Sequence, residues 1–266
     1  MKMSRHENPF RFWNNLQGVP PPLIGVHGMG GGGLIEVWYR HYFEFRHLKR
    51  ICRFRADMNV LELGCGNGRW ALSIAPRVKD YIGVDFSDSA LQVARKQVEK
   101  NKLKNVLLIE KNIAEFISTD TYDLIYLSGV SQYLTDKEFT RMLGHVRRCC
   151  HAATVIVDRS TVNLKRREIM ENGDYWAIFR TPDELERLLK TVGFALTYRK
   201  RSYRFLRGAK FLTRRRANKI LAKLVYWTRP LSFHLLRLLT ILADAWKPVA
   251  FEGGDRSHDF LVFKQP

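Results

Sequence analysis

A chain of 266 residues with 45% hydrophobic side chains can bury one sizeable α/β core with accessory segments, which excludes general disorder. No run approaches the roughly 18 uninterrupted apolar residues of a membrane-spanning helix, and Cys52, Cys65, Cys149 and Cys150 have no CxxC or His/Cys spacing, so neither a span nor a metal site is expected. The formal net charge of +19 is uneven, with twelve of the 45 Lys and Arg residues, and no acid, in residues 198–229; such a bias speaks of partners rather than of fold.

Residues 1–35 read as irregular, because Pro20, Pro21 and Pro22 resist helix and sheet and six of the nine residues 25–33 are glycine. A loop that can fold over a site is expected there, with His27 on it. The start of the chain, MKMSRHENPFRFW, lacks the apolar run of a secretion signal. Reduced cysteines fit the cytoplasm. Residues 36–52 have helical periodicity. Strand-like runs follow at 59–63, 81–85, 106–110, 123–127 and 153–157, separated by helical patterns at 68–76, 88–101 and 136–149. This alternation predicts a parallel sheet with crossover helices. A further helix is expected at 181–191, capped by Thr181, with Pro182 in its first turn and Gly193 after its end. Strands at 194–200 and 258–264 complete the pattern. The fold class is therefore α/β: an open, doubly wound, seven-stranded, mostly parallel sheet with helices on both faces, plus a basic helical insertion before the last strand.

The run Val60-Leu61-Glu62-Leu63-Gly64-Cys65-Gly66-Asn67-Gly68 is an apolar strand entering a glycine turn. Glycines let the backbone turn tightly and let a ligand approach the peptide units. The helix that follows supplies free N–H groups at its start. Tyr81-Ile82-Gly83-Val84-Asp85 is a second strand ending in an acid, and a carboxylate there can accept both hydroxyl protons of an adenosine ribose. A dinucleotide loop of the GxGxxG kind would need glycine where Arg69 stands. A P-loop would need lysine and Ser or Thr after its glycine, and no GxSxG nucleophile elbow occurs. The bland alternative, a tight strand-to-helix turn without a ligand, is weakened by Glu62 before the turn and Asp85 after it.

These segments resemble a family. VLELGCGNGRWALSIA followed by YIGVDFSDSALQVAR is similar to the first two motifs of class I S-adenosylmethionine-dependent methyltransferases. Leu108–Ile113 and Tyr122–Ser128 are similar to the third and fourth strands, and Phe179–Phe194 to the last helix and sixth strand. The resemblance implies S-adenosylmethionine as cofactor. It places Glu62, Gly64, Cys65 and Gly66 among the cofactor-binding residues, with Gly64 and Gly66 against the amino-acid part, Asp85 on the ribose and Phe86 on the adenine. Ile113 and Asn112 would also meet the adenine, and Ser128 would lie beside the methionine moiety. Asn112 stands where the family often has Asp. Arg40, Tyr42 and Arg46 on the preceding helix are alternatives for the cofactor carboxylate. The implied organisation is an N-terminal lid and helical segment (1–52), the cofactor-binding core (53–201), a basic amphipathic insertion (202–257) and the final core strand (258–266).

Methyl transfer rests mainly on alignment of the two reactants. An oxygen acceptor also needs its proton taken. His27, Tyr133 and Asp158 are the candidates for that work, with Ser131, Gln132, Arg159 and Ser160 nearby in sequence; the competing reading of each is a polar group satisfying a loop. No Asp-Pro-Pro-Tyr motif for amide or base nitrogen is present, which favours an oxygen, a simple amine or a carbon acceptor. After the basic segment comes LSFHLLRLLTILADAW, where leucines fill most of the helical surface outside a stripe of Arg237, Thr240 and Asp244. At sixteen residues it is too short and too polar to span a bilayer. It can lie in a membrane interface, pack on the sheet or meet a second subunit. The expected partners are therefore a methyl acceptor of unknown identity and an anionic membrane surface, with a homo-oligomer left open. RNA bound through phosphates and stacked bases is the alternative. The expected location is cytoplasmic, with peripheral contact to the inner face of a membrane as an option. A purely structural role for the fold is argued against by the intact Gly64, Gly66 and Asp85.

Overall fold

The computed structural model describes residues 12–13, 34–202, 227–229, 231–246 and 256–266. The glycine-rich stretch 25–33 with His27, and most of the basic segment, lie outside these residues. In chain order the elements are α1 (Leu34–Cys52), β1 (Asn59–Leu63), α2 (Ala71–Ile74), β2 (Asp80–Asp85), α3 (Asp88–Lys100), β3 (Val106–Glu110), β4 (Tyr122–Ser128), α4 (Asp136–Arg148), β5 (Cys150–Asn163), β6 (Glu168–Asn172), β7 (Tyr175–Phe179), α5 (Pro182–Thr191), β8 (Ala195–Arg201), α6 (Leu231–Trp246) and β9 (Arg256–Lys264). Seven strands form one sheet in the order β3-β2-β1-β4-β5-β9-β8. Only β9 runs against its neighbours, so the expected open, mostly parallel α/β sheet is present.

The strands are apolar because helices cover the sheet on both faces. Leu61, Leu63, Ile125 and Ile156 pack with Phe139, Leu143, Leu185 and Leu189 from α4 and α5. Val60, Tyr81, Leu124 and Val157 pack on the opposite face with Leu48 of α1 and Trp70, Ala71 and Ile74 around α2. Both α4 and α5 start with a capping box, Thr135 with Glu138 and Thr181 with Glu184, in which side chain and backbone satisfy each other's open groups. The Thr181 cap and Pro182 are as the sequence predicts.

Three elements differ from the sequence reading. The helix expected at 68–76 is a turn, the four-residue α2 and a 3-10 turn at Ala75–Arg77. Pro76 cannot donate the backbone bond that would continue an α-helix. The strand expected at 153–157 runs from Cys150 to Asn163, because β9 pairs with residues 156–163 and satisfies their backbone groups. The region after it holds an unexpected hairpin, β6–β7, with Asn172 opposite Tyr175 and Gly173 at φ +59° in the two-residue loop.

α6 packs on α1. Phe233 is buried against Tyr39 and Phe43, with Leu236 beside them. No helix among the described residues is long and apolar enough to cross a membrane.

Candidate active site

The register of the sheet builds the site. Leu63 pairs with Val84 and Leu63 also pairs with Leu127, so β1, β2 and β4 end side by side. Ligands in open parallel sheets sit at these carboxyl ends. The chain then turns at Gly64 (φ +78°), Gly66 (φ +52°) and Gly68 (φ +76°), conformations that side chains with a Cβ rarely adopt. The N–H groups of Gly64 and Cys65 donate to Val84 O at 2.7 and 3.0 Å. A Cβ on Gly64 would lie 2.1 Å from Val130 Cγ1, whereas a Cβ on Gly66 would meet nothing within 4 Å. One side of the turn is therefore closed by Val130 and another is open to a ligand.

Asp85, 8% exposed, is tied to that turn. Its Oδ2 accepts from Gly66 N–H at 2.7 Å and its Oδ1 from Ser87 N–H at 3.0 Å. Burial pushes its carboxyl above the usual range, while the N–H groups of Ser87, Gly66 and Phe86 oppose that shift. Phe86 is half-buried and Ile113 buried. Asn112 lies just past the end of β3 with its side-chain oxygen accepting from Ala114 N–H at 3.0 Å. Its carbonyl is thus engaged locally, and its amino group is the part best placed to serve a ligand. Ser128, at the end of β4, accepts from the Trp70 indole at 2.8 Å, which joins the fourth strand to the glycine turn.

Glu62 lies beneath the turn, 1% exposed, and accepts a hydrogen bond from the Tyr81 hydroxyl. Burial pushes its carboxyl up to about 8. Cys65 is buried beside it, and burial drives its thiol well above the ordinary value. Both residues support the turn from below.

Of the residues proposed for acceptor chemistry, Tyr133 follows β4 and Asp158 lies in β5, while His27 is outside the described residues. The turn Ser131–Tyr133 follows β4, and Arg180 holds it by donating to Ser131 O at 2.9 Å and Leu134 O at 2.6 Å. Asp158 is fully buried within β5, not in a loop after it. Its Oδ1 accepts from the Ser160 hydroxyl at 2.7 Å, and Ser160 meets the Ser131 hydroxyl. Its Oδ2 has no hydrogen-bond partner among the described residues. Burial pushes this carboxyl up to about 6, against the opposing hydrogen bonds of Ser160 and Ser131. Tyr133 receives a hydrogen bond from Gln132 at 3.1 Å and packs edge-on to Trp13 and Tyr175. The hairpin β6–β7, which the sequence reading did not include, therefore packs against Tyr133 through Tyr175. The signal that could have found it is the two-residue Gly173-Asp174 turn before the apolar run Tyr175–Phe179.

A second group that sequence reasoning missed is the cluster around Glu44. This α1 residue is fully buried; Arg159 Nε donates to its Oε1 at 2.7 Å, and Arg40 and Arg69 lie 3.9 Å from its Oε2. Burial alone would raise its pKa, but Arg159, Arg40 and Arg69 hold it down at about 2. The cluster separates the three candidates on α1. Arg40 belongs to it, beside the glycine turn, whereas Tyr42 and Arg46 reach His234 of α6 at 3.4 and 3.3 Å.

The sheet order with one reversed strand, the glycine turn after β1 and the acid ending β2 define a class I, Rossmann-like methyltransferase fold. Residues 60–152, about a third of the chain, match the methyltransferase domain family, and S-adenosylmethionine-dependent methyltransferases of that class are what the chain is similar to. It is 27% identical over 115 residues to a tRNA/tmRNA (uracil-C(5))-methyltransferase of Actinobacillus pleuropneumoniae serotype 7, a match covering 43% of this chain and 28% of the relative. It is 28% identical over 116 residues to the ubiquinone biosynthesis O-methyltransferase of Acinetobacter baylyi, covering 39% of this chain and 49% of the relative. The match thus spans less than half the length of either curated relative. A solved SAM-dependent methyltransferase of Leishmania major shares the fold with a TM-score of 0.63 at 16% identity, over 77% of this chain and 79% of that one.

Proposed function

We propose that this protein transfers a methyl group from S-adenosylmethionine to an oxygen of a small-molecule, glycan or lipid-linked acceptor at or near a membrane surface. The observation that carries the reaction class is Asp85 hydrogen-bonded to Gly66 N–H beside an open glycine turn. The donor set suits an adenosyl cofactor: an acid for the ribose hydroxyls, Phe86 and Ile113 as apolar walls for adenine, and Asn112 at its edge. Gly64, Cys65, Gly66 and Ser128 would border the methionine part, with Glu62 supporting the turn. When bound, the cofactor supplies a methyl group on a sulfonium, with a thioether as leaving group.

The chain's own contribution is then alignment and proton acceptance. Asp158, with a carboxyl near 6, is ionised at neutral pH and suited to take a proton. Being fully buried, it would serve an acceptor hydroxyl through the hydroxyls of Ser160 and Ser131, which lie in contact with one another. Tyr133 would position the acceptor from the adjoining turn, and His27 would act from the N-terminal segment. The membrane setting is supported by α6, whose outer face leaves Leu231, Leu235 and Leu238 exposed.

The test is calorimetric titration with S-adenosylhomocysteine. Asp85→Ala removes hydrogen bonds to a charged group, worth about 1.5–3 kcal/mol, or roughly ten- to a hundredfold in affinity. Unchanged affinity in the variant would remove the ribose assignment. A second reading, an RNA methyltransferase, is favoured by the tRNA/tmRNA-modifying relative and by the basic segment 198–229. Methyl transfer to bulk tRNA with no transfer to lipid extracts would establish it instead.

A further inference from the structure

A groove of about 930 Å³ lies between α1, the α2 turn and the start of α6. Its walls carry Arg46, Lys49, Arg50, Arg69, Arg77 and Arg229, and no Asp or Glu lines it among the described residues. Arg69 reaches Glu44 from the inner end. Arg46, Lys49, Arg50 and Arg77 meet no carboxylate within ion-pair distance among the described residues; Arg46 turns to His234, Arg77 to the Ser73 carbonyl, and Lys49 and Arg77 both lie over the Phe45 ring, at 5.1 and 5.2 Å. Converging cations of this number repel one another unless an anion sits among them.

The far side of α6 gives the second observation. Its inner face is accounted for by Phe233 and Leu236 on α1. Its outer face presents Leu231, Leu235 and Leu238 at 76, 56 and 52% exposure, and Trp227, four residues before the first, is 85% exposed. The spacing of four and three residues sets the three leucines on one face of α6, and Trp227 precedes that helix. A soluble surface rarely carries such a row. Arg229 and Phe233 line the groove and belong to this same stretch of chain, so the cationic groove opens beside the apolar ridge.

We propose that the groove binds the phosphate headgroup of an anionic membrane phospholipid, while Trp227, Leu231, Leu235 and Leu238 enter the adjoining acyl region. This deepens the membrane reading above and rests on it. Phosphate satisfies the cations of the groove, and only a bilayer also removes the leucines from water. An RNA strand would satisfy the cations and leave the leucines exposed.

The experiment uses the full chain and two vesicle types, phosphatidylcholine alone and phosphatidylcholine with phosphatidylglycerol, plus a water-soluble, short-chain phosphatidylglycerol below its micelle concentration. The native protein should cosediment with the anionic vesicles and bind the soluble lipid. Lys49→Gln/Arg77→Gln should weaken anionic-vesicle binding on the order of thirtyfold, each cation near anionic lipid contributing about a factor of five or six, and should abolish soluble-lipid binding. Leu235→Ser/Leu238→Ser should weaken vesicle binding and leave soluble-lipid binding intact. Circular dichroism and S-adenosylhomocysteine affinity should be unchanged in both variants. Native-like vesicle and soluble-lipid binding by the glutamine variant would overturn the headgroup site while leaving membrane docking in place. Absence of binding to every vesicle, with tight and salt-sensitive binding to RNA, would overturn both the site and the membrane reading.

Discussion

Two fully buried glutamates lie on either side of the glycine turn and behave in opposite ways. Glu44 of α1 is surrounded by Arg40, Arg69 and Arg159 and stays ionised down to about 2. Glu62 of β1 accepts from one tyrosine hydroxyl, and burial pushes its carboxyl up to about 8. Both have lost their water. Only Glu44 has guanidinium groups in its place, and a buried carboxylate ionises where opposite charge replaces hydration. One acid is therefore an electrostatic tie between α1, the turn and β5. The other is a neutral hydrogen-bonding group beneath the glycine turn.

The largest effect should come from cutting the charged tie. Glu44→Ala leaves three arginines near one another in a buried site without their shared carboxylate, and removing one partner of a buried ion pair costs about 3–5 kcal/mol. Denaturant unfolding of the full chain should show this loss at neutral pH. The native protein should approach the variant in acid. Glu44 has its pKa lowered on folding, so its contribution is present above about 4.5 and is lost as pH falls toward about 2. A variant as stable as the native protein at neutral pH would mean that the arginines are satisfied without Glu44.

A smaller effect tests the turn that separates the two acids. Gly64→Ala places a Cβ 2.1 Å from Val130 Cγ1 at φ +78°. A left-handed backbone at a residue with a Cβ costs about 1–2 kcal/mol before the clash with Val130 is relieved. Gly66→Ala meets no atom within 4 Å, so its stability loss should be limited to the backbone term. In the binding assay the order should be reversed in character: Gly66→Ala should lose S-adenosylhomocysteine affinity out of proportion to its stability, because its open side is the side proposed for the ligand. Equal losses of both properties in the two variants would remove that distinction.

The two regions were not equally legible in the sequence. Gly64 through Gly68 and Asp85 could be read because the turn is local and its chemistry is carried by adjacent residues. The mostly parallel character of the sheet followed from the alternation of strand and helix. The Glu44 cluster could not be read, since Arg159 is 115 residues distant and a single Glu in a helix resembles any solvated acid. The extension of β5 beyond Val157 depends on pairing with β9, about a hundred residues later in the chain, and the polar run Asp158-Arg159-Ser160-Thr161 has no strand signature of its own. The hairpin β6–β7 was different: its Gly173-Asp174 turn carries a local signal. α6 was foreseen as a helix meeting a membrane interface, the sheet or a second subunit, and its packing on α1 was not among these.

A pH-dependent effect isolates Glu62. Its folded carboxyl is raised to about 8 from an ordinary 4.5, so between those values the native state holds a proton that the unfolded chain has released. Stability from this group is therefore greatest in mild acid and falls as pH rises, with a slope of at most about 1.4 kcal/mol per pH unit. Glu62→Gln stays neutral throughout, and its carbonyl can still accept from the Tyr81 hydroxyl. Ligand-free native protein and variant should be unfolded in urea at intervals from about pH 5 to 8. Asp158 contributes a slope of the same sign, and His41 and His47, held down at about 3 and 4 by burial, contribute the opposite sign. All three are present in both proteins and cancel in the difference. The native protein should lose at least about 1 kcal/mol relative to the variant across that range. Parallel curves would mean that Glu62 is ionised in the fold, and the contrast with Glu44 would then be one of degree, with Arg69 serving both acids.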